Sequence, residues 1–476
     1  MFQKLIYVAV LLIQILWYLL DQGEFSITLV TVNLIIVFIS TIIFLISNNS
    51  AFFDKQYFRH SLFILVGVLI VHFQYYVDLL MGNLSILDSS IWVNTNVINK
   101  AILLSSMGVI SFFFGYISLN KKPVATTDSY KVSFVGTKFL KFCGLAFLIL
   151  YFYLANPIYF LGNYGIIDVG TEAAYVIALF EVCISAAIIQ NTRNLLTFKK
   201  KFDLSPFEYL KYQGVLLNII LGIYLISVLV SGDRGAILFF ILLYAGNYLF
   251  FTKRKIRLSI LFLGVFLGSS FITYLGDLRT LSGEYSFFNK IKILLNEEID
   301  SRFATQSIIP QTQNLASSIR CLNFAVNHVP SKHDFLYGRF QFQQIISSIP
   351  YSSTFNNFFF IESSKKYRSS ADFITWIDQG DFPFSGNGTT VIADYYCDFG
   401  LIGVLFGLFI VGYSAKYSEF IMYSLKNVSL FKHTLSIIIL ASSFYLSRSS
   451  FFILFKFITW TYIFLVLNKN IFNKAT

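Results

Sequence analysis

Stretches of about twenty apolar residues recur along almost the whole chain, and this constrains the fold more than any other feature. Twelve segments, at 5–20, 26–46, 61–81, 100–118, 138–155, 172–190, 213–230, 234–251, 258–275, 391–415, 433–447 and 450–467, each come near the length a helix needs to cross hydrocarbon. Composition agrees: 56% of the residues are hydrophobic, 18% aromatic and only 13% charged, about half the charge of a soluble domain. Disordered, collagen-like and disulfide-scaffold chains are excluded by 27 Gly, 7 Pro and 4 Cys among 476 residues. The expected fold is all-α, with about 12 transmembrane helices. Lys4 before the first segment resembles a signal peptide, but the bulky run Trp17-Tyr18-Leu19-Leu20-Asp21 offers no cleavage site, so the segment reads as a retained helix.

The net charge of +11 does not call for nucleic acid, because positive charge collects on the cytoplasmic loops of membrane proteins. The N-terminus and every second connection hold 22 Lys and Arg; the opposite short connections hold Lys100, Arg234 and Arg448. This asymmetry places both termini in the cytoplasm. It divides the chain into 1–275 with nine helices, a large extracytoplasmic loop at 276–390, and 391–476 with three helices. Ten basic and ten acidic residues balance within the loop. A connection that long is expected to be functional or a small domain.

The cytoplasmic loops carry neither a phosphate-binding Gly-rich loop nor a His-Glu-x-x-His pair, so an ATP-driven pump and a zinc protease are disfavoured. Candidates collect on the outer side. Ser231-Gly232-Asp233-Arg234-Gly235 forms a hairpin whose glycines permit a tight turn and a close approach of ligand to backbone. Ser447-Arg448-Ser449-Ser450 sets a second arginine among hydroxyl residues. Two isolated outer arginines suggest an anion, since the guanidinium forks onto phosphate and stays charged. The competing reading is two unrelated arginines snorkelling to headgroups.

The third candidate runs from Asn387 to Gly400. Asp394 and Asp398, four residues apart, share one face of a helix. Either carboxylate could act as a base or orient a hydroxyl; both could equally be helix-start acids favoured by the dipole. Gly403 and Gly407 read as helix packing. In the loop, Arg279, Arg302, Arg320, Arg339, Arg368, His328 and His333 stand among Tyr337, Phe340, Phe342, Tyr351 and Trp376. Phe287–Leu295 could lie on the membrane as an amphipathic helix, and Cys321 and Cys397, both on the oxidising side, could pair. Glu181 and Lys456 are charges inside spans, functional or a structural pair.

These features resemble the Wzy-type O-antigen polymerases, a family of oligosaccharide repeat-unit polymerases. The resemblance rests on twelve spans, the Ser-Gly-x-Arg-Gly turn at 231–235, one large outer loop before the last spans, and the stretch Asp394–Gly403 with its Asp-Phe-Gly-Leu-Ile-Gly. It implies a GT-C-like membrane glycosyltransferase of the bacterial inner membrane. Such an enzyme transfers a growing chain from undecaprenyl diphosphate to a hydroxyl of an incoming lipid-linked repeat. It implies a lipid-linked donor and acceptor, with a chain-length regulator and a flippase as partners. Arg234 and Arg448, then Arg279 and Arg339, are the expected diphosphate ligands. Asp394 is the expected base, with His328 and His333 behind it, and Asp233, Asn387 and Asp398 complete the site. No cofactor or metal is expected, since arginines can neutralise a diphosphate and the loop has no Asp-x-Asp pair. An O-antigen ligase shares this architecture and differs in acceptor; a lipid-linked oligosaccharide flippase would lack the long loop; a scaffold would leave the outer arginines unexplained.

Overall fold

The computed structural model describes residues 2–47, 56–119, 134–161, 169–197, 204–257, most of 259–270, 307–349, 352, 367–383, 385–424 and 428–473. All regular structure among these residues is helical. The first half holds α1 (Phe2–Leu20), α2 (Ile27–Ser47), α3 (His60–Leu80), the single turn α4 (Ser89–Trp92), α5 (Ile98–Ser118), α6 (Lys138–Leu154), α7 (Thr171–Thr197), α8 (Pro206–Gln213), α9 (Val215–Ser231) and α10 (Gly235–Thr252). The long connection contributes α11 (Gln313–Ala316), α12 (Ile319–His328), α13 (Arg339–Ile346) and α14 (Ser370–Gln379). The chain ends with α15 (Val391–Ser424), α16 (Leu430–Ser442) and α17 (Leu454–Asn473).

Among the described residues, seven helices are long and apolar enough to cross a membrane, or eight if the bent pair α8–α9 counts as one span. The shortfall from twelve has physical causes. α8 and α9 meet at an angle of 98° at Gly214, whose φ of +96° suits glycine, which leaves 17 residues in α9 for the segment at 213–230. Ser205 and Glu208 close a capping box over α8, so this helix starts on its own account. α6 has 17 residues and α16 only 13. α17 begins and ends among polar residues, including Lys456 and Asn468-Lys469-Asn470. Of 258–275, only the short apolar helix Ser259–Gly268 falls mainly within the described residues.

α5 and α15 form the centre. Their backbones touch: a Cβ on Gly115 would stand 2.1 Å from the Phe409 carbonyl, and one on Gly412 2.0 Å from that of Phe112. Small residues allow this approach, and dispersion replaces the hydrophobic drive that lipid does not supply. At one end of this core the buried Glu419 accepts the Ser61 amide at 2.8 Å and the Tyr116 hydroxyl at 2.5 Å, tying α15 to α3 and α5. α1 and α2 lie outermost: 11% and 28% of their spans are buried, against 83% for the span that contains α5. Their exposed Leu, Ile and Phe side chains suit a lipid surface.

Candidate functional site

The segment at 391–415 is not one straight span. Gly400 breaks α15, with φ +60° and ψ −142°, a conformation open almost only to glycine. The arm 391–399 folds back onto 401–424. A Cβ on Gly403 would lie 2.3 Å from the Tyr395 carbonyl, and one on Gly407 2.4 Å from the Tyr395 ring. Eight residues of straight helix would separate the first pair by about 12 Å. Gly403 and Gly407 therefore do serve packing, but against their own folded-back arm.

The arm ends in carbonyls that its own helix cannot satisfy. The long connection supplies the donors: Leu336 N–H binds the Cys397 carbonyl at 3.0 Å, and Tyr337 N–H binds that of Asp398 at 2.9 Å. Phe335 packs where a side chain on Gly400 would stand, 2.8 Å from its Cβ position. In return Asp398 caps α13, accepting the Phe340 and Gln341 amides at 3.2 and 3.0 Å. A carboxylate at a helix N-terminus is favoured by the dipole. Here the helix it caps lies some sixty residues upstream.

Asp394, one turn earlier on the same face, is fully buried. Its two oxygens accept from Gln341 Nε2 at 2.9 Å, Gln344 Nε2 at 3.1 Å, Ser370 Oγ at 2.5 Å and Ser450 Oγ at 2.9 Å. The donors come from α13, from the start of α14 and from the connection between α16 and α17. The carboxylate thus ties three segments to α15. Gln344 extends the tie by accepting the Phe452 amide at 3.1 Å, and Trp460 Nε1 on α17 donates to the Ser348 carbonyl at 3.0 Å.

The connection that carries Ser450 also carries Arg448, and it lies inside the bundle. The Phe444 carbonyl and Ser447 Oγ stand 2.6 and 2.9 Å from a Cβ position on Gly67 of α3. Gly67 is seven residues, about 10 Å, from the His60 end of a helix about 30 Å long. Arg448 is accordingly recessed rather than set at a headgroup surface. It is partly buried and donates Nη1 to the Asn314 carbonyl at 3.3 Å. The 231–235 hairpin is a neighbour, with Tyr445 Cζ 3.9 Å from a Cβ position on Gly235. Within that hairpin Gly232, at φ +86°, closes α9, and Asp233 Oδ1 accepts the Gly235 amide at 3.0 Å to start α10.

α12 comes within electrostatic reach of Arg448 and carries further polar groups. Arg320 Nη2 donates to both oxygens of Asp378, at 2.9 and 3.1 Å, and its guanidinium lies 4.9 Å over the Phe324 ring. Asn387 Nδ2 donates to the same carboxylate at 2.7 Å. Arg448 and Arg320 both act electrostatically on the buried Cys321. Next along α12, the His328 ring stacks near Phe324 and places Nδ1 3.0 Å from the Phe324 carbonyl. Nε2 lies 3.4 Å from Lys332 Nζ. Partial burial, and then Lys332 and His333, lower the His328 pKa; the carbonyl contact and Asp378 oppose them.

The remaining candidates separate. Arg339 is 5% exposed, donates to the Tyr367 carbonyl at 3.1 Å and lies 4.9 Å over that ring, inside the core of the long connection. His333 packs against Trp376 and Phe373 in the same core. Arg279 and the stretch 287–295 lie outside the described residues. Cys321 and Cys397 are free thiols and not a disulfide. Cys321 Sγ points instead at the Asn387 carbonyl, 3.4 Å away, and burial pushes its pKa up to about 11. Glu181 accepts the Tyr224 hydroxyl at 2.5 Å and lies within electrostatic reach of Lys456 and Asp233. Arg320 and Asp378 were legible only as members of the loop; their pairing across 58 positions has no local signal.

A multi-pass helical membrane protein whose long connection is tied to the spans through Asp394 and Arg448 is the class that fold and site define. The family description O-antigen polysaccharide polymerase Wzy matches residues 3–475, and the chain belongs to that family. No curated protein and no solved structure matches the chain.

Proposed function

We propose that this protein polymerises undecaprenyl-diphosphate-linked oligosaccharide repeats at the outer face of the inner membrane. The observation that carries this reading is the proximity of the Arg448 turn to the 231–235 hairpin on one side and to the Arg320 end of α12 on the other. The growing chain breaks its C1–O bond to the lipid diphosphate, and an acceptor hydroxyl forms the new C1–O bond. Negative charge grows on the departing diphosphate, where fixed guanidinium donors stabilise it most. Arg448 and Arg234 take that role, and Arg320, held by Asp378, orients the incoming repeat. Arg320 and His328 stand eight residues, about 12 Å, apart along α12, a span that a diphosphate and a glycosyl ring fill.

His328 is the proton acceptor in this reading, because its Nδ1–H is engaged by the Phe324 carbonyl and Nε2, beside the Lys332 ammonium, is left as the basic nitrogen. Asp394 has both oxygens occupied and serves as a brace. A base must be unprotonated, so activity should rise with pH through a limb set below the ordinary histidine range of about 6.5. His328→Gln should remove that limb and cost about 10²–10⁴-fold in turnover. An unchanged pH profile would assign the proton to solvent.

Deletion of the gene should leave surface lipid capped with single repeats, and purified protein should build a ladder from lipid-linked repeats. Unattached polymer in the deletion strain would mark a ligase, and loss of exported repeats a flippase. Orientation has its own test, motivated by the 22-to-3 charge asymmetry. A reporter active only outside the cytoplasm should work when fused near Ser331 and stay silent near Lys200. The reverse pattern would put the site on the wrong side for exported substrates.

A further inference from the structure

Three basic side chains meet where α7 and α10 end and α16 begins. Arg193, 9% exposed, donates Nη1 to the Val428 carbonyl at 2.9 Å. Lys253 closes α10, reaches the Met422 carbonyl at 2.5 Å and stands 4.4 Å from the centre of the Phe250 ring. His433, in the first turn of α16, is fully buried and stacks on Phe250 at 4.1 Å. Neither His433 ring nitrogen has a hydrogen-bond partner among the described residues. Arg193 and Lys253 are the charged groups that act on it, and among the described residues no carboxylate acts on either cation.

Backbone carbonyls take one hydrogen bond from each cation but bring no net charge. A buried guanidinium and an unpartnered buried imidazole, with the more exposed Lys253 ammonium beside them, remain without a counter-charge, an arrangement that costs free energy unless an anion joins it. A phosphate oxyanion suits all three, since it accepts from guanidinium, ammonium and imidazole N–H together. Lys253-Arg254-Lys255-Ile256-Arg257, Lys426 and Lys432 follow or flank these residues in the chain. Basic pockets between spanning helices on the cytoplasmic side are suited to anionic headgroups. We propose that Arg193, Lys253 and His433 form a binding site for a phosphate oxyanion, carried by an anionic membrane lipid or free in solution. The site is independent of the polymerisation reading and uses none of its residues.

The test is thermal unfolding of the full-length protein in neutral detergent, titrated separately with phosphatidylglycerol, phosphatidylcholine and inorganic phosphate. Phosphatidylglycerol or phosphate should raise the melting temperature saturably, with phosphatidylcholine weaker. A response to phosphatidylglycerol alone identifies a lipid headgroup, and one to inorganic phosphate identifies the free ion. Arg193→Gln and Lys253→Gln keep an amide donor for the Val428 and Met422 carbonyls but remove the charge. Each should raise the half-saturating concentration about tenfold or more, while the unliganded melting temperature holds or rises as repulsion is relieved. His433→Phe keeps the stacking and loses both nitrogens, so it should weaken the same response even if a glutamine variant fails to fold. Equal responses in wild type and variants, or no response to either probe, would overturn the site.

Discussion

Arg448→Lys should lower polymerisation about 10²–10³-fold, the cost of losing one preorganised donor to a developing oxyanion, while leaving the melting temperature unchanged. The two halves of this expectation have separate grounds. Structurally, the Arg448 side chain contributes a hydrogen bond of 3.3 Å to one carbonyl, from a position only partly buried, so its loss costs little stability. Chemically, an ammonium is a point charge and cannot grip two diphosphate oxygens at once. Turnover of lipid-linked repeats by purified variant and wild type, with melting curves alongside, would check both halves. A variant that makes full-length polymer at the normal rate would remove Arg448 from the site.

Asp394→Ala should have the largest effect on structure, about 3–5 kcal/mol, in line with removing one partner of a buried charged network. The variant leaves Gln341, Gln344, Ser370 and Ser450 without their shared acceptor. The long connection should then become open to protease between residues 310 and 390, and polymerisation should be lost with it. Asp394→Asn separates a brace from a base. One acceptor oxygen remains, and serine hydroxyls can reverse direction to accept from the new amide. A brace therefore predicts a partial fall in melting temperature and a matching partial fall in turnover. Abolished turnover at an unchanged melting temperature would instead make Asp394 the proton acceptor.

The all-helical membrane character was legible, though not the number of spans, because lipid demands long apolar runs and leaves little else for a sequence to say. The shared face of Asp394 and Asp398 was legible too, since a spacing of four fixes it on any helix. What each carboxylate does with that face was not. Asp398 caps a helix that begins at Arg339, and Asp394 accepts from Ser370 and Ser450, all distant in sequence. The break at Gly400 was hidden for a similar reason. A glycine in an apolar run ordinarily marks packing, and only Phe335 and the donors at Leu336 and Tyr337 turn it into an elbow. The short α16 was overestimated because 433–447 stays apolar beyond Ser442 into the turn that carries Arg448. Cys321 and Cys397 shared a compartment, which permits a disulfide but does not supply the geometry for one.

The Asp394 junction also bears on how the protein is made. Its members are translated at widely separated times: Gln341 and Gln344 first, Ser370 next, the carboxylate after them, and Ser450 last. Until that last serine is in place, the long connection is unlocked and the Arg448 turn is absent. A partly synthesised chain can therefore insert most of its helices without presenting a working site. Competence is conferred late, by the same contact that holds the mature protein shut.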